Sequence, residues 1–213
     1  ARTYLTKSLI DLAAQTLRRL AGERVETSAV FNLTTQFGGG KTHALTLLYH
    51  LARAGERARH WPGVGAVLDR VRVSPLPEAA TAVFVGTEFD TLSGRGGTDG
   101  TPQRRTPWGE IAYQLGGVEA LRLLAEHERE LTAPGGDVIR QFLPRDRPIL
   151  ILIDELLNYM NRGRARGLAG QVHSFIHNLS EEARRRNNLV LCVSVPASEL
   201  EMNADDQRDY EAL

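Results

Sequence analysis

One stretch of the chain, residues 148–153 (PILILI), constrains the fold most because it is apolar at every position. A strand with one face in water alternates apolar and polar residues, whereas a strand covered on both faces is apolar throughout. The run is also far too short to cross a bilayer. It therefore predicts a central strand of a parallel sheet with helices on both faces.

Three further apolar runs and several amphipathic segments surround this strand. The other predicted strands are 28–34, 81–85 and 189–195, and the predicted helices are 5–21, 41–54, 108–115, 118–131, 137–143 and 168–186. Residues 56–80 are expected to form a connection with little regular structure, and 93–107 a loop rich in Gly, Thr, Arg and Pro. Strands that alternate with helices indicate an α/β fold with a mainly parallel sheet.

Composition and charge limit the partners and the compartment. Apolar residues make up 42% of the chain, and 26 basic residues balance 26 acidic ones, which gives a formal net charge of zero. No overall field therefore draws the chain to nucleic acid or to an anionic membrane. Cys192 is the single cysteine, which excludes an intrachain disulfide and a cysteine-based zinc site and suits the cytoplasm.

A glycine-rich segment, 36–42 (QFGGGKT), lies between the first predicted strand and the following helix. With Thr35 it matches the phosphate-loop pattern G-x-x-x-x-G-K-[ST], except that Thr35 replaces the first glycine. Glycines let backbone amides turn towards phosphates, and the helix start adds the positive end of its dipole. Lys41 would reach the β- and γ-phosphates, and the Thr42 hydroxyl would bind magnesium. The alternative is a flexible turn with a surface lysine, which the flanking strand and helix disfavour.

Two carboxylates, Asp154 and Glu155, directly follow the central strand. Because the carboxyl ends of parallel strands meet at one edge of a sheet, Asp154 is expected beside the glycine loop, holding magnesium, usually through water. Glu155 would orient and deprotonate the attacking water. The structural alternative is that both acids begin a helix, where the helix dipole favours negative charge.

A second carboxylate after the metal-binding one is typical of hydrolases of the additional-strand class of phosphate-loop ATPases. In that class a polar residue at the end of the fourth strand senses the γ-phosphate. Ser194 is the candidate here, and Ser198 is the second candidate. A serine at a strand end is equally common without any such function.

Weaker signals come from two acids after the second strand, a histidine pair and two arginine clusters. These residues are Glu88 and Asp90, His173 and His177, and Arg162, Arg164, Arg166, Arg184, Arg185 and Arg186. A solvated loop is the simpler explanation for the acids, and a helix surface for the histidines, which lack a third metal ligand. The arginines would contact DNA or a neighbouring subunit's nucleotide, although a solvated basic face is the preferred interpretation.

Six blocks of the sequence resemble a family of large AAA+-type ATPases. Such proteins are found beside DNA methyltransferases and nuclease-like proteins in bacterial and archaeal phage-defence systems, including phage growth limitation and BREX. The blocks are TTQFGGGKTHALTLLYHLA, VGTEFD, TPWGEIAYQLGG, TAPGGD, PILILIDELLNY and VSVPASELE, in this order. The resemblance implies a three-layer P-loop core that binds ATP with Mg²⁺ and hydrolyses it, in a protein that assembles with itself or with defence partners.

The glycine-rich segment and the acidic pair would contribute to one site. The catalytic residues would be Lys41, Glu155 and Ser194, and the magnesium ligands Thr42 and Asp154. The nucleotide-binding residues would be Gln36, Phe37, Gly38, Gly39, Gly40, Lys41, Thr42 and His43. No residue is identified that would read the base.

We expect one ATPase core over residues 1–213, with a nucleotide-binding part at 28–198, as a piece of a longer protein. The fifth strand and helical lid of AAA+ proteins, with their arginines, would lie outside it. The leading hypothesis is a magnesium-dependent ATPase that drives a conformational or DNA-linked step in phage defence or restriction. The alternatives are a nucleotide-gated assembly module with little turnover and a DNA-stimulated helicase or loader, which would bind nucleic acid through other parts of the full-length protein. No membrane contact is expected.

Overall fold

The chain folds around one parallel sheet of four strands. The computed structural model describes residues 5–35 and 40–196. The strands are β1 (Val30–Thr35), β2 (Ala80–Val85), β3 (Ile149–Asp154) and β4 (Leu189–Pro196). They lie in the order β1-β4-β3-β2, and all neighbours are parallel. Each predicted strand is present with its ends shifted by at most two residues, so the predicted α/β class is confirmed.

Eight α-helices occupy the described ranges. They are α1 (Lys7–Leu20), α2 (Lys41–Ala54), α3 (Gly65–Val71), α4 (Pro107–Arg122), α5 (Ala125–Glu130), α6 (Gly136–Phe142), α7 (Leu156–Gly163) and α8 (Leu168–Arg185). Two 3-10 helical turns, Gly55–His60 and Arg164–Arg166, follow α2 and α7. Within these ranges no helix combines the length and the apolar character needed to cross a membrane.

The sheet is the middle of three layers, as the alternation of side chains along β3 makes plain. Ile149, Ile151 and Ile153 pack into a core with helices α4, α6, α7 and α8 on one face. Leu150 and Leu152 pack into a second core with α1, α2 and α3 on the other face. All six residues of β3 are buried, as expected for a central strand covered on both sides.

Local signals explain where the helices begin and break. The hydroxyl of Thr106 accepts a 3.1 Å hydrogen bond from Gly109 N, and Pro107 occupies the first position of α4. At Gly116 and Gly117 the backbone leaves helical values, which matches the gap predicted between residues 115 and 118. Helix α2 runs over Lys41–Ala54, the same bounds as predicted.

Three predictions differ from the structure. The predicted helix 118–131 is divided, because its first part belongs to α4, which ends at Arg122, and α5 begins at Ala125. Residues 56–80 were expected to lack regular structure, but they contain most of a 3-10 turn and helix α3, which packs against α1 through buried residues that include Val67 and Val71. The prediction missed α3 because seven residues give little periodic signal. Helix α7 was also not predicted, although a helix after the acidic pair was considered as the structural alternative. The described part of the sheet has no fifth strand, as expected.

Candidate functional site

The carboxyl ends of the strands and the start of α2 meet at one edge of the sheet. Helix α2 begins at Lys41, directly after Gly40. Gly40 adopts a left-handed conformation with φ 81°, which glycine takes without strain, and its carbonyl accepts a 2.8 Å hydrogen bond from Ala44 N. Four of the predicted nucleotide-binding residues, Gln36, Phe37, Gly38 and Gly39, lie outside the described residues.

The two motifs predicted from the sequence meet in a direct hydrogen bond. The hydroxyl of Thr42 donates to Oδ2 of Asp154 over 2.8 Å, although the two residues are 112 positions apart in the chain. Oδ1 of Asp154 accepts a 3.1 Å bond from the backbone N of Glu155. Asp154 is buried, and the alternation of β3 puts it on the same face as Leu152, which is the face covered by α2. Both carboxylate oxygens are therefore held in fixed directions.

Glu155 has a different environment from its neighbour. Glu155 is exposed, and it immediately precedes the first residue of α7. Its backbone is left-handed, with φ 54° and ψ 36°. Such a backbone conformation is uncommon for a residue other than glycine. It persists only where contacts with the surrounding structure hold it. The structure thus separates a buried, fixed carboxylate from an exposed one at the same strand end.

The segment after β2 makes the contacts that hold the backbone of the acidic pair. Gly86 N donates a 2.8 Å hydrogen bond to the Asp154 carbonyl. A Cβ atom at Gly86 would lie 2.0 Å from the Glu155 carbonyl oxygen, so only glycine fits at this position. Arg162 of α7 donates to the carbonyls of Gly86 and, over 3.0 Å, of Phe89. The end of β2 and the acidic pair are therefore packed as one unit.

The first arginine cluster was expected to be a solvated basic face, but two of its members have defined roles in the fold. Besides the contacts of Arg162, Arg166 donates to the Thr91 carbonyl. Both residues are exposed, as a solvated face predicts, and their side chains also bind the segment after β2. Arg164 donates to Oδ1 of Asn161 over 3.0 Å.

Ser194 lies beside the acidic pair in the sheet. Ser194 pairs with Leu33 of β1. In the neighbouring strands β3 and β4, Ile153 pairs with Val193, so Asp154 and Ser194 are the next residues along each strand. Ser194 is buried, and by alternation with Cys192 it faces the α2 side. The second candidate, Ser198, lies outside the described residues. His43, in the first turn of α2, is exposed.

The weaker signals resolve into structural contacts. Asp90 accepts hydrogen bonds from Ser93 N, Ser93 Oγ and Leu92 N, and these bonds hold the pKa of its carboxyl below the usual range. Glu88 is exposed in the same segment. His173 and His177 lie one turn apart on α8, and the described residues contain no group of three or more His, Cys, Asp or Glu side chains suited to a metal.

The second arginine cluster lies at the end of α8, and its side chains contact other described residues of the chain. Arg184 pairs with Glu181 over 2.6 Å, and Arg185 pairs with Glu182 over 3.5 Å. Arg186 donates to the Pro144 carbonyl over 2.6 Å.

One polar network was not identified from the sequence as a site. The side-chain amide of Gln114 accepts from Val83 N and donates to Val83 O, each over 2.8 Å, so it pairs with the open edge of β2 as a strand would. Gln114 also donates to the buried Glu110 over 2.7 Å, and Glu110 pairs with the buried Arg104 over 2.9 Å. The only sequence signal was the TPWGEIAYQLGG block, which contains both Glu110 and Gln114.

The comparisons with known proteins give one family. Residues 1–212 match a family model described as the DUF499 N-terminal domain. Searches of curated proteins and of solved structures found no match. Because the family model covers nearly the entire chain, this chain belongs to the DUF499 family and corresponds to its N-terminal domain.

Proposed function

We propose that this domain binds ATP with magnesium at the start of α2 and hydrolyses it. The observation that carries the proposal is the 2.8 Å hydrogen bond between Thr42 and Asp154. It joins the hydroxyl of one predicted motif to the carboxylate of the other. Phosphate-loop proteins hold magnesium with this pair of residue types.

The residues present fit a magnesium ion. Magnesium prefers oxygen ligands and is usually held by one or two carboxylates together with phosphates and water. A hydroxyl has one hydrogen to donate and two lone pairs, so Thr42 can donate to Asp154 while a lone pair binds the metal. When bound, the ion would neutralise charge on the β- and γ-phosphates. Lys41 and the positive end of the α2 dipole would attract the same phosphates.

Glu155 is the residue we assign as general base. A water molecule attacking the γ-phosphate must lose a proton, and the exposed carboxylate of Glu155 at this strand end would accept it. Asp154 is committed to Thr42 and to the Glu155 amide, so the two neighbouring acids divide the tasks of metal binding and proton transfer. Ser194, on the α2 face, would hydrogen-bond to the γ-phosphate.

The strand order supports the same class of ATPase. Strand β4 lies between β1, which precedes the glycine segment, and β3, which precedes the acids. An inserted strand of this kind, together with a carboxylate after the metal-binding one, is what defines the additional-strand class. The resemblance of six sequence blocks to AAA+-type proteins of phage-defence systems extends the proposal. Hydrolysis would then drive a conformational or DNA-linked step in an assembly with like copies or defence proteins.

Calorimetry of magnesium-ATP binding tests the site directly. The chain contains two lysines, Lys41 and Lys7, and Lys7 lies exposed at the start of α1. We expect the wild type and Lys7→Ala to bind magnesium-ATP with equal affinity and Lys41→Ala to lose binding. Absence of binding by the wild-type chain and by the full-length protein alike, or equal binding by Lys41→Ala, would refute the proposal.

Hydrolysis by the full-length protein separates an ATPase from a nucleotide-gated assembly module. We expect Glu155→Gln to bind ATP normally and to lose turnover by about a hundredfold or more, because general-base catalysis contributes that much. The control is Glu119→Gln, which removes a carboxylate whose side chain is 79% exposed on α4. Slow turnover that is unchanged in Glu155→Gln would instead favour the assembly module.

A further inference from the structure

A long groove runs along α2 and opens at the proposed ATP site. Its volume is about 1310 Å³, and one end is formed by Thr42 and Asp154. From there it follows α2 and the edge strand β2 to Trp61, beyond the 3-10 turn. From Thr42 to Arg53 alone it extends about 16 Å, because a helix rises about 1.5 Å per residue. Apart from Thr42 and Asp154, the residues that line the groove have no part in the proposed ATP site.

One wall of the groove carries positive charge. Thr42, Thr46, Tyr49 and Arg53 are three or four residues apart and therefore form one stripe on α2, and Arg57 continues it into the 3-10 turn. Arg53 and Arg57 are exposed, and their guanidinium groups bond to the Tyr49 hydroxyl and to backbone carbonyls rather than to carboxylates. Among the described residues, no carboxylate forms an ion pair with either of these arginines.

The opposite side adds two more arginines, which are partly neutralised. Arg95 pairs with Glu110 over 3.4 Å, and Arg147 pairs with the exposed Asp146 over 3.0 Å. Apart from Asp154, the groove is lined by one carboxylate, Glu78. The lining therefore holds four arginines against two carboxylates, and the arginines that have no ion-pair partner among the described residues are Arg53 and Arg57, on the α2 wall.

The floor and the far end of the groove are apolar or aromatic. Thr81, Val83 and Val85 alternate along β2 and expose one face of this strand to the groove. Trp61 is 38% exposed, and its backbone N is fixed to the Ala58 carbonyl over 3.1 Å. The backbone of Trp61 is therefore held at the groove, and the residue is partly exposed to a ligand.

We propose that this groove binds single-stranded nucleic acid. Proteins that bind single strands combine a positively charged groove for the backbone with aromatic side chains on which bases stack. Arg53 and Arg57 would contact phosphates, Trp61 would stack on a base, and the uncovered face of β2 would contact further bases. An acidic peptide would satisfy the arginines but would leave Trp61 and the apolar floor without a specific role. The inference does not depend on ATP binding.

Fluorescence anisotropy with a short labelled oligothymidylate tests the proposal, in low salt and without nucleotide. We expect the wild-type chain to bind. The affinity of the double variant Arg53→Gln/Arg57→Gln should be lower by roughly tenfold or more. Loss of two phosphate contacts should also reduce the slope of log affinity against log salt by about 1.4. Trp61→Ala should weaken binding roughly fivefold or more through lost stacking, whereas Trp61→Phe should retain most of it.

The matched control is the double variant Arg122→Gln/Arg129→Gln. It removes two exposed arginines from α4 and α5, outside the groove, and so makes the same change in net charge. We expect it to bind the oligonucleotide like the wild type, and circular dichroism checks that every variant is folded. No binding by the wild type, or equal weakening by both double variants, would overturn the proposal. Binding of polyglutamate with higher affinity than the oligonucleotide would overturn it too and would indicate an acidic protein partner.

Discussion

Gly86 packs against Glu155 so closely that a Cβ atom at Gly86 would lie 2.0 Å from the Glu155 carbonyl oxygen. The same glycine donates its backbone N to the Asp154 carbonyl over 2.8 Å. The end of β2 is thus fixed to both residues of the acidic pair, at the point where the Glu155 backbone is left-handed. The position of the exposed carboxylate depends on a glycine far away in sequence.

Gly86→Ala should therefore destabilise the domain. Because the atom met is a backbone carbonyl, which cannot rotate away, we expect a loss of about 1–3 kcal/mol in the free energy of unfolding. Chemical denaturation measures it. The control is Gly170→Ala in α8, where a Cβ would meet nothing within 4 Å and the helix should gain up to about 1 kcal/mol. Equal stability of Gly86→Ala and the wild type would show that the segment after β2 moves freely from the acidic pair.

Thr42 and Asp154 should act on magnesium-ATP as a pair. We expect Thr42→Val and Asp154→Asn each to weaken binding about tenfold or more, and the double variant to lose less than the sum, because both residues serve one ion. Calorimetry with and without magnesium measures the coupling. Thr46→Val, one turn along α2, removes a hydroxyl that donates to the Thr42 carbonyl within the helix, and it should leave affinity unchanged. Strictly additive losses would argue against a shared magnesium ion.

The sequence predicted those parts of the fold that depend on local patterns. Short, mainly apolar runs located the strands, and the glycine segment located the start of α2 at Lys41. Helices α3 and α7, of seven and eight residues, were missed because short segments carry little periodic signal. A helix that begins at the acidic pair was the structural alternative to the catalytic interpretation, and α7 begins directly after Glu155.

The candidate site was predictable in part. The residue types at Thr42 and Asp154 implied a common ligand, and the structure joins them directly. The roles of Gly86 and Arg162 were not predictable, because they depend on β2 lying next to β3, and single-sequence patterns do not give strand order. The roles of Lys41, Glu155 and Ser194 in catalysis stay predictions.

Gln114 should protect the edge of the sheet. Gln114→Ala leaves the N–H and C=O of Val83 without their 2.8 Å partners, and we expect a loss of about 1–2 kcal/mol and faster hydrogen exchange at the Val83 amide. Gln114→Glu should be no better, because it keeps the acceptor but brings a second carboxylate to Glu110. Gln141→Ala, at an exposed position of α6, is the control. Unchanged exchange at Val83 in Gln114→Ala would show that the Gln114 side chain does not protect this edge of the sheet.

Glu128 should make stability depend on pH. Burial raises the pKa of this carboxyl, although it accepts hydrogen bonds from Arg105 N and the Thr106 hydroxyl, which lower the pKa. The folded state therefore holds its proton to higher pH than the unfolded state does. It follows that the contribution of Glu128 to stability falls as pH rises from the unfolded pKa, about 4.3, through the raised folded value, and is constant above it.

Comparison with Glu128→Gln isolates this contribution from those of other titrating groups. Glutamine keeps an acceptor for Arg105 N but does not ionise, so its stability relative to the wild type should increase with pH across that window and then level off. Thermal or urea unfolding at a series of pH values measures the difference. Glu126→Gln, whose carboxylate is 71% exposed, should show a nearly constant difference over the same range. A constant difference for Glu128→Gln, or one that shrinks as pH rises, would mean that the two hydrogen bonds outweigh burial and that Glu128 stabilises α4 as a charged group.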